Sequence, residues 1–272
     1  MTSINTNVGA LNARTNAIRA TSKMESAMER LSSGLRINSA ADDAAGLAVA
    51  GKMESQLRGI NMAVRNAQDG VGLIQTAEAG LNEIRNMVLR IRELAVQMAN
   101  GIYENTPDRA NAQLEVSALI AQVTLIAENS TFNDIKLLDG SFTGITIQAG
   151  NTTSETIELS FIDVASSGLS IHAATVATQS DATVAIGTMD TALQKIAGEQ
   201  AKFGSLQNRL TYSISNLSRA SVMTEQALGR IMDADFAQES TNLSKAQILN
   251  QAATAMLAQA NQSKSQMLQL IQ

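Results

Sequence analysis

Cysteine and tryptophan are absent from this 272-residue chain, and proline (Pro107) and histidine (His172) each occur once. Without cysteine there is neither a disulfide framework nor a thiolate metal site, and the redox compartment stays open. Five Phe and two Tyr are too few for a compact aromatic-rich core. No apolar run reads as long enough to cross a bilayer, so membrane insertion is not expected. The start Met1-Thr2-Ser3-Ile4-Asn5 lacks the basic region and apolar core of a cleaved signal. Export would therefore use a route that needs no such signal. A net charge of −5 argues against a nucleic-acid binder, which requires clustered Lys and Arg to track phosphates. Protein partners are the expectation.

What the chain does contain is Ala, Leu, Ile, Val and 12 Met, arranged at alternating spacings of three and four over residues 1–99 and 183–272. Ile4, Val8, Leu11, Thr15 and Ile18 form a first stripe, resumed by Met24, Met28, Leu31 and Leu35. Ser32-Ser33-Gly34 interrupts it, and a second helix is expected from Asn38 or Ser39 as cap, with Asp42 and Asp43 at the positive end of its dipole. From Leu57 through Ile60, Val64, Ala67 and Val71 to Met98 the pattern continues, so a helix over 42–99 would be about 85 Å long. Pro107 sits where a first helical position is expected, and Leu114, Ala118, Ala121 and Leu125 mark one face of a helix over 107–128. Gly59, Gly70, Gly72 and Gly80 suggest close approaches along the long helix.

Between 129 and 180 the period changes. Ile145-Thr146-Ile147-Gln148 and Thr156-Ile157-Glu158-Leu159 alternate apolar and polar residues around Gly150-Asn151, which predicts a small hairpin. Helical spacing returns with Met189, Leu193, Ile196, Phe203 and Leu210 and runs to Ile231, followed by a charged joint at Asp233, Asp235 and Glu239. The last segment carries one charge after residue 245, Lys264, yet repeats Leu249, Ala253, Met256, Ala260, Ser263, Met267 and Leu270 by heptads. Such helices are marginal without partners, so in the monomer both termini are expected to be largely unfolded and to order only inside an assembly. The fold class is mainly α: a long coiled-coil-like helical bundle with paired terminal helices and a small β-hairpin region.

Catalytic chemistry finds no support. His172 lies in a Ser- and Ala-rich loop, and a two-histidine zinc-protease helix cannot be written with one His. Gly46-Leu47-Ala48-Val49-Ala50-Gly51-Lys52 imitates a phosphate loop, but Met53 stands where Ser or Thr is needed and no strand precedes it. No enzyme activity, cofactor or metal is expected. Asn151-Thr152-Thr153 resembles an acceptor sequon, and surface Ser and Thr of 141–181 are the alternative sugar sites.

The run Glu29-Arg30-Leu31-Ser32-Ser33-Gly34-Leu35-Arg36-Ile37-Asn38-Ser39-Ala40-Ala41-Asp42-Asp43-Ala44-Ala45-Gly46 closely resembles the amino-terminal signature of bacterial flagellin. So do Arg92-Glu93-Leu94-Ala95-Val96-Gln97, Phe132-Asn133, Ile145 to Gln148 with Glu155-Thr156-Ile157, and Ala246-Gln247-Ile248-Leu249-Asn250-Gln251-Ala252. The resemblance covers nearly the whole chain in order. It implies a structural subunit, exported through the flagellar type III apparatus without a cleaved signal, that polymerises into the extracellular filament for swimming motility. Residues 1–41 and 233–272 would form inner-tube helices, and 42–232 the surrounding helical domain, with large outer domains missing. Self-assembly would fall to Ile4, Val8, Leu11, Ile18, Leu249, Met256, Met267 and Leu270. The partners implied are other subunits, an export chaperone on the carboxy-terminal helix, a filament cap protein and hook–filament junction proteins. A junction protein of the same helical family is the alternative identity. By the same resemblance Arg90, Leu94 and Glu115 match the positions read by the vertebrate Toll-like receptor for flagellin, with Leu89 where many strongly recognised members have Gln.

Overall fold

A computed structural model describes residues 6–269, the side chains of 267–269 excepted. Its elements in chain order are α1 (Val8–Ser33), α2 (Ala44–Met98), α3 (Ala110–Asn129), β1 (Thr131–Phe132), β2 (Ile135–Lys136), β3 (Ile145–Gln148), β4 (Thr156–Leu159), α4 (Gln179–Met232) and α5 (Phe236–Gln269). Contacts divide the chain into two compact units, one of residues 1–57 with 222–272 and one of residues 58–221.

In the unit 58–221 the periodic residues of α2 become the core. Ile74, Ala77, Leu81, Ile84, Val88, Ile91 and Ala95 are all fully buried, as are Met189, Ile196, Phe203 and Leu210 of α4. The two helices run antiparallel, which is read from the polar pairs along their edges: Arg92 with Asp190 at 2.6 Å, Asn82 with Gln200 at 2.7 Å, and Asn61 with Ser221 at 3.0 Å. On α3 the inward face is not the expected one. Val116, Val123 and Ala127 are buried, whereas Leu114 and Leu125 face solvent. A count of apolar spacings could not separate the two, because both sets recur at helical period and only packing against α2 and α4 selects one.

Three more expectations are corrected. Helix α2 begins at Ala44 and is capped by Asp43, whose carboxylate accepts the Gly46 N–H at 2.8 Å, not by Asn38 or Ser39. Pro107 lies in a short π-type turn, Asn105–Arg109, ahead of α3. There Arg109, although buried, donates to the carbonyls of Met98, Asn100 and Tyr103, so its charge closes the exposed end of α2. Finally, the stretch Asn105–Asn129 does reach the length and apolar content of a bilayer span, with mean hydropathy 1.2 over its best window. Its Val116, Val123 and Ala127 are core residues of a folded unit, as an apolar core helix requires.

The predicted hairpin is present, with β3 and β4 antiparallel and Ile145 opposite Leu159. Ile157 and Leu159 point inward. The segment after β4 is held to α4 by Phe161, which stacks on Phe142 at 4.5 Å and meets Phe203 edge-on at 4.7 Å. Lys202 adds bonds to the Ser160 carbonyl and hydroxyl, and Lys195 to the Gly168 carbonyl at 2.9 Å.

Two of the α2 glycines behave oppositely. A Cβ on Gly80 would sit 2.7 Å from Ser130 Oγ and 2.9 Å from Leu138 Cδ1, whereas a Cβ on Gly72 would meet nothing within 4 Å. The close approach expected at Gly72 is therefore not there. Gly72→Ala should stabilise the unit by about 1 kcal/mol through helix propensity alone. Gly80→Ala should destabilise it by about 1–3 kcal/mol through overpacking. Thermal unfolding of the two variants beside the parent checks both signs.

Candidate assembly surface on the terminal helices

The unit formed by the two chain ends rests on a joint and a helix pair. At the joint, α1 stops at Gly34, whose positive φ of 73° suits glycine, and its N–H returns to the Arg30 carbonyl. Leu35 and Asp233 then form an antiparallel bridge, flanked by Arg36 N–H to the Met232 carbonyl and Ala234 N–H to the Gly34 carbonyl. The Arg36 guanidinium donates to the Ile231 carbonyl at 2.7 Å and so caps the end of α4. Arg30 reaches Glu239 of α5 at 3.3 Å and Asp42 at 3.5 Å. The expected charged joint at Asp233, Asp235 and Glu239 is thus where α4 gives way to α5.

Helices α1 and α5 lie antiparallel. Asn7 caps α1 by accepting the Ala10 N–H at 3.1 Å and also donates to the Ala260 carbonyl at 3.1 Å. Thr21 and Asn250 bond at 2.7 Å, and Arg30 with Glu239 closes the far end. Between these ties the seam is made of alanine. Ala13, Ala20 and Ala27 are buried on α1, and Ala246 and Ala253 on α5, each set repeating by sevens. Alanine lets two backbones approach closely but hides only a methyl group, about 0.8 kcal/mol each.

The large apolar residues are left outside. On α1, Val8, Leu11 and Ile18 are 57, 52 and 59 % exposed. At about 100° per residue they centre roughly 170° from the alanine face. On α5, Leu249 and Met256 flank the seam at 45 and 63 % exposure. They form one wall of a groove of about 840 Å³ whose other wall is Asn12, Asn16, Arg19 and Lys23 of α1. Ile4 and Leu270 lie outside the described residues, as does the side chain of Met267. Of the alanine heptads, spacing analysis placed Ala253 and Ala260 and passed over Ala13, Ala20, Ala27 and Ala246. Ala13-Ala20-Ala27 and Ala246-Ala253-Ala260 were visible as exact repeats of seven.

Arg90 and Glu115 are brought together across α2 and α3, Nε to Oε1 at 2.9 Å, with Glu93 at 3.3 Å. The pair raises the Arg90 pKa further above its ordinary value, Glu115 contributing most. Leu94 is not beside them on the surface but buried at 4 % exposure. His172 is exposed. Among the described residues no three His, Cys, Asp or Glu side chains converge as a metal site.

Comparison with known proteins completes the picture. The bacterial flagellin N-terminal helical region matches residues 4–143, and the bacterial flagellin C-terminal helical region matches residues 186–271. The chain belongs to the bacterial flagellin family. It is 41% identical to a flagellin of Halalkalibacterium halodurans, covering 98% of this chain and 99% of that one. It is 38% identical to a flagellin of Bacillus subtilis over the same shares. A flagellar filament 33 kDa core protein of Treponema phagedenis is 40% identical over 98% of this chain and 99% of that one. Among solved structures, Bacillus cereus flagellin aligns with TM-score 0.52 at 34% identity, over 56% of this chain and 88% of that one. A putative flagellar hook-associated protein of Vibrio parahaemolyticus aligns at TM-score 0.60 with 12% identity, over 71% of this chain and all of that one, a likeness of fold. This flagellin is a structural, self-polymerising subunit of the flagellar filament, an extracellular appendage of motile bacteria, and the junction-protein alternative is not favoured.

Two carboxylates give the protein opposite acid responses. Asp42 accepts from Ser39 N–H at 2.9 Å, the Ser39 hydroxyl at 3.1 Å and Asn38 N–H at 3.2 Å, which hold its pKa below 3.8. A depressed folded pKa stabilises above the unfolded value and is lost as pH falls through the folded one. Glu199, on α4 and missed by the sequence reading, is 4 % exposed, with Oε1 lacking a hydrogen-bond partner and Lys202 3.8 Å away. Burial raises its pKa above 4.5, partly offset by Lys202. A raised folded pKa destabilises above that value and the penalty vanishes on acidification. Asp42→Asn should therefore lower the melting temperature at pH 7 and converge with the parent in acid. Glu199→Gln should raise it at pH 7 and also converge as pH falls towards 4.5. Melting curves from pH 3 to 8 check both directions.

Proposed function

We propose that the terminal helices are the assembly machinery of this flagellin, residues 1–41 and 233–272 forming the inner tube and 42–232 the domain around it. The observation that carries this reading is the division of labour on α1 and α5: alanine faces the intrachain partner, while Val8, Leu11, Ile18, Leu249 and Met256 face outward. Ile4 and Leu270 extend the heptads of Leu11–Ile18 and Leu249–Met256, whereas Met267 continues that of Ala246, Ala253 and Ala260. Neighbouring subunits cover these side chains, and the terminal helices order fully only when they do.

The chain travels unfolded through the flagellar type III apparatus. Before export a chaperone masks the carboxy-terminal helix, at the filament tip a cap protein guides insertion, and junction proteins seat the first subunits on the hook. The Arg90–Glu115 pair, with Leu94 buried behind it, is the surface read by the vertebrate Toll-like receptor for flagellin.

Removing one large apolar contact forfeits about 1.5–3 kcal/mol of burial, or about ten- to a hundredfold in affinity. Wild-type chain seeded with filament fragments should give long tubes by electron microscopy. Ile18→Asp and Met256→Asp should raise the critical concentration by about that factor while leaving the monomer's helix content unchanged. Unaltered polymerisation of both variants would remove the terminal helices from the mechanism. For the receptor, Arg90→Ala monomers should signal at least tenfold more weakly in a reporter-cell assay, and undiminished signalling eliminates that role.

A further inference from the structure

Asn100-Gly101 is the one Asn-Gly pair of the chain, and it lies exposed in the connection between α2 and α3. Three observations converge on the peptide that joins the two residues. The Asn100 carbonyl accepts from Nη2 of the buried Arg109 at 2.9 Å and from the Tyr103 N–H at 3.4 Å. The Asn100 side-chain Oδ1 accepts from the Ile102 N–H at 3.3 Å, which folds the carboxamide back along the Gly101 peptide. Among the described residues no acceptor takes the Gly101 N–H, and glycine brings no Cβ to shield that nitrogen. We propose that Asn100 is a self-modifying site, at which the Gly101 nitrogen displaces the side-chain amide as ammonia and leaves aspartate or isoaspartate at position 100.

The step balances with water as its only co-reactant. Solvent base removes the Gly101 amide proton, and the nitrogen forms a bond to Asn100 Cγ while the electron pair of the side-chain carbonyl moves onto Oδ1. Collapse of that centre breaks the Cγ–Nδ2 bond, Nδ2 takes up a proton and departs as ammonia, and a five-membered succinimide remains. Water then opens the ring at Cγ to give aspartate, or at the backbone carbonyl carbon to give isoaspartate.

Both places where negative charge develops already carry donors. Deprotonating an amide puts its charge largely on the amide oxygen, here the Asn100 carbonyl that Arg109 and Tyr103 bond. Addition to Cγ puts charge on Oδ1, which the Ile102 N–H bonds. Donors fixed before reaction stabilise such charge without reorganising. The oxygens that Arg109 bonds, the carbonyls of Met98, Asn100 and Tyr103 and the Asn105 carboxamide, are all neutral, so no carboxylate bonded to it quenches its charge.

The two Asp-Gly pairs lack this arrangement. Asp69-Gly70 is inside α2, where the amide serves the helix ladder. Asp139 accepts from the Ser141 hydroxyl and N–H, which hold its carboxylate ionised with a pKa below 3.8, and an ionised carboxylate resists attack and lacks a neutral leaving group.

The test follows the wild-type chain, folded in mildly alkaline buffer and, in parallel, unfolded by urea in the same buffer. Mass spectrometry of the tryptic peptide 93–109 reads the exchange of NH2 for OH, fragmentation separates Asn100 from Asn105, and enzymatic methylation counts isoaspartate. Preorganised donors should make the folded chain convert about tenfold faster or more than the unfolded one. Conversion that is no faster in the folded chain, or that falls on another asparagine, would overturn the inference. Arg109→Gln keeps N–H donors without the charge and should lose the acceleration at parental helix content; undiminished acceleration would overturn the part given to the guanidinium. If that variant fails to fold, the wild-type comparison decides alone. Asn100→Gln moves the carboxamide one carbon beyond the five-membered ring and should show no exchange at 100; exchange at the parental rate would overturn the site.

Discussion

The alanine seam between α1 and α5 determines how the ends of this chain can behave. A helix has one circumference to share among its neighbours, and alanines spaced by seven use the intrachain side for the closest backbone approach and the least hidden apolar area. The larger side chains are consequently displaced to other sides, where only another molecule can cover them. A leucine seam would have reversed this, making a self-sufficient hairpin with a polar exterior. Weak cohesion within the subunit and apolar surface outside it are thus the same choice seen from two sides.

The unit 58–221 follows the opposite logic. Here the large side chains of α2 and α4 face each other, α3 and the hairpin close over them, and three of the five phenylalanines meet at Phe142, Phe161 and Phe203. Charge is used sparingly and for position. Arg109 is buried but surrounded by carbonyls at the end of α2, where a cation is favoured. Glu199 is buried with one oxygen unpaired and carries a desolvation penalty that Lys202 only partly offsets.

Periodicity made the middle of α2 and α4 legible: Ala67, Met98, Met189, Ile196, Phe203 and Leu210 stood on the expected stripes and are buried, while Leu57, Ile60, Val64, Val71 and Leu193 on the same stripes are partly buried. The hairpin was equally legible, since strict alternation flips faces under any other register. Legibility ended where two stripes of equal period compete. On α3, Leu114 and Leu125 offered as good a spacing as Val116 and Val123, and tertiary contact alone chose between them. At α2's start Asn38 and Ser39 were read as the caps and Asp42 and Asp43 only as complements of the dipole; Asp42 instead closes a turn on Ser39 and Asp43 caps the helix. On the terminal helices the large residues attracted attention that the alanines deserved.

Arg90, Leu94 and Glu115 illustrate the remaining limit. Arg90, Leu94 and Glu115 are a surface trio by resemblance, but a spacing of four on α2 rotates Leu94 about 40° from Arg90. That rotation carries it from the α3-facing rim, where Arg90 meets Glu115, into the core alongside Ile91 and Ala95. The two roles separate on physical grounds. An ion pair half exposed to solvent can be rearranged by a partner at small cost, because in the free protein it contributes little. A leucine at 4 % exposure cannot be reached without moving α2. Any partner that reads this region therefore reads the charge pair, and senses Leu94 through the position it gives the helix beneath.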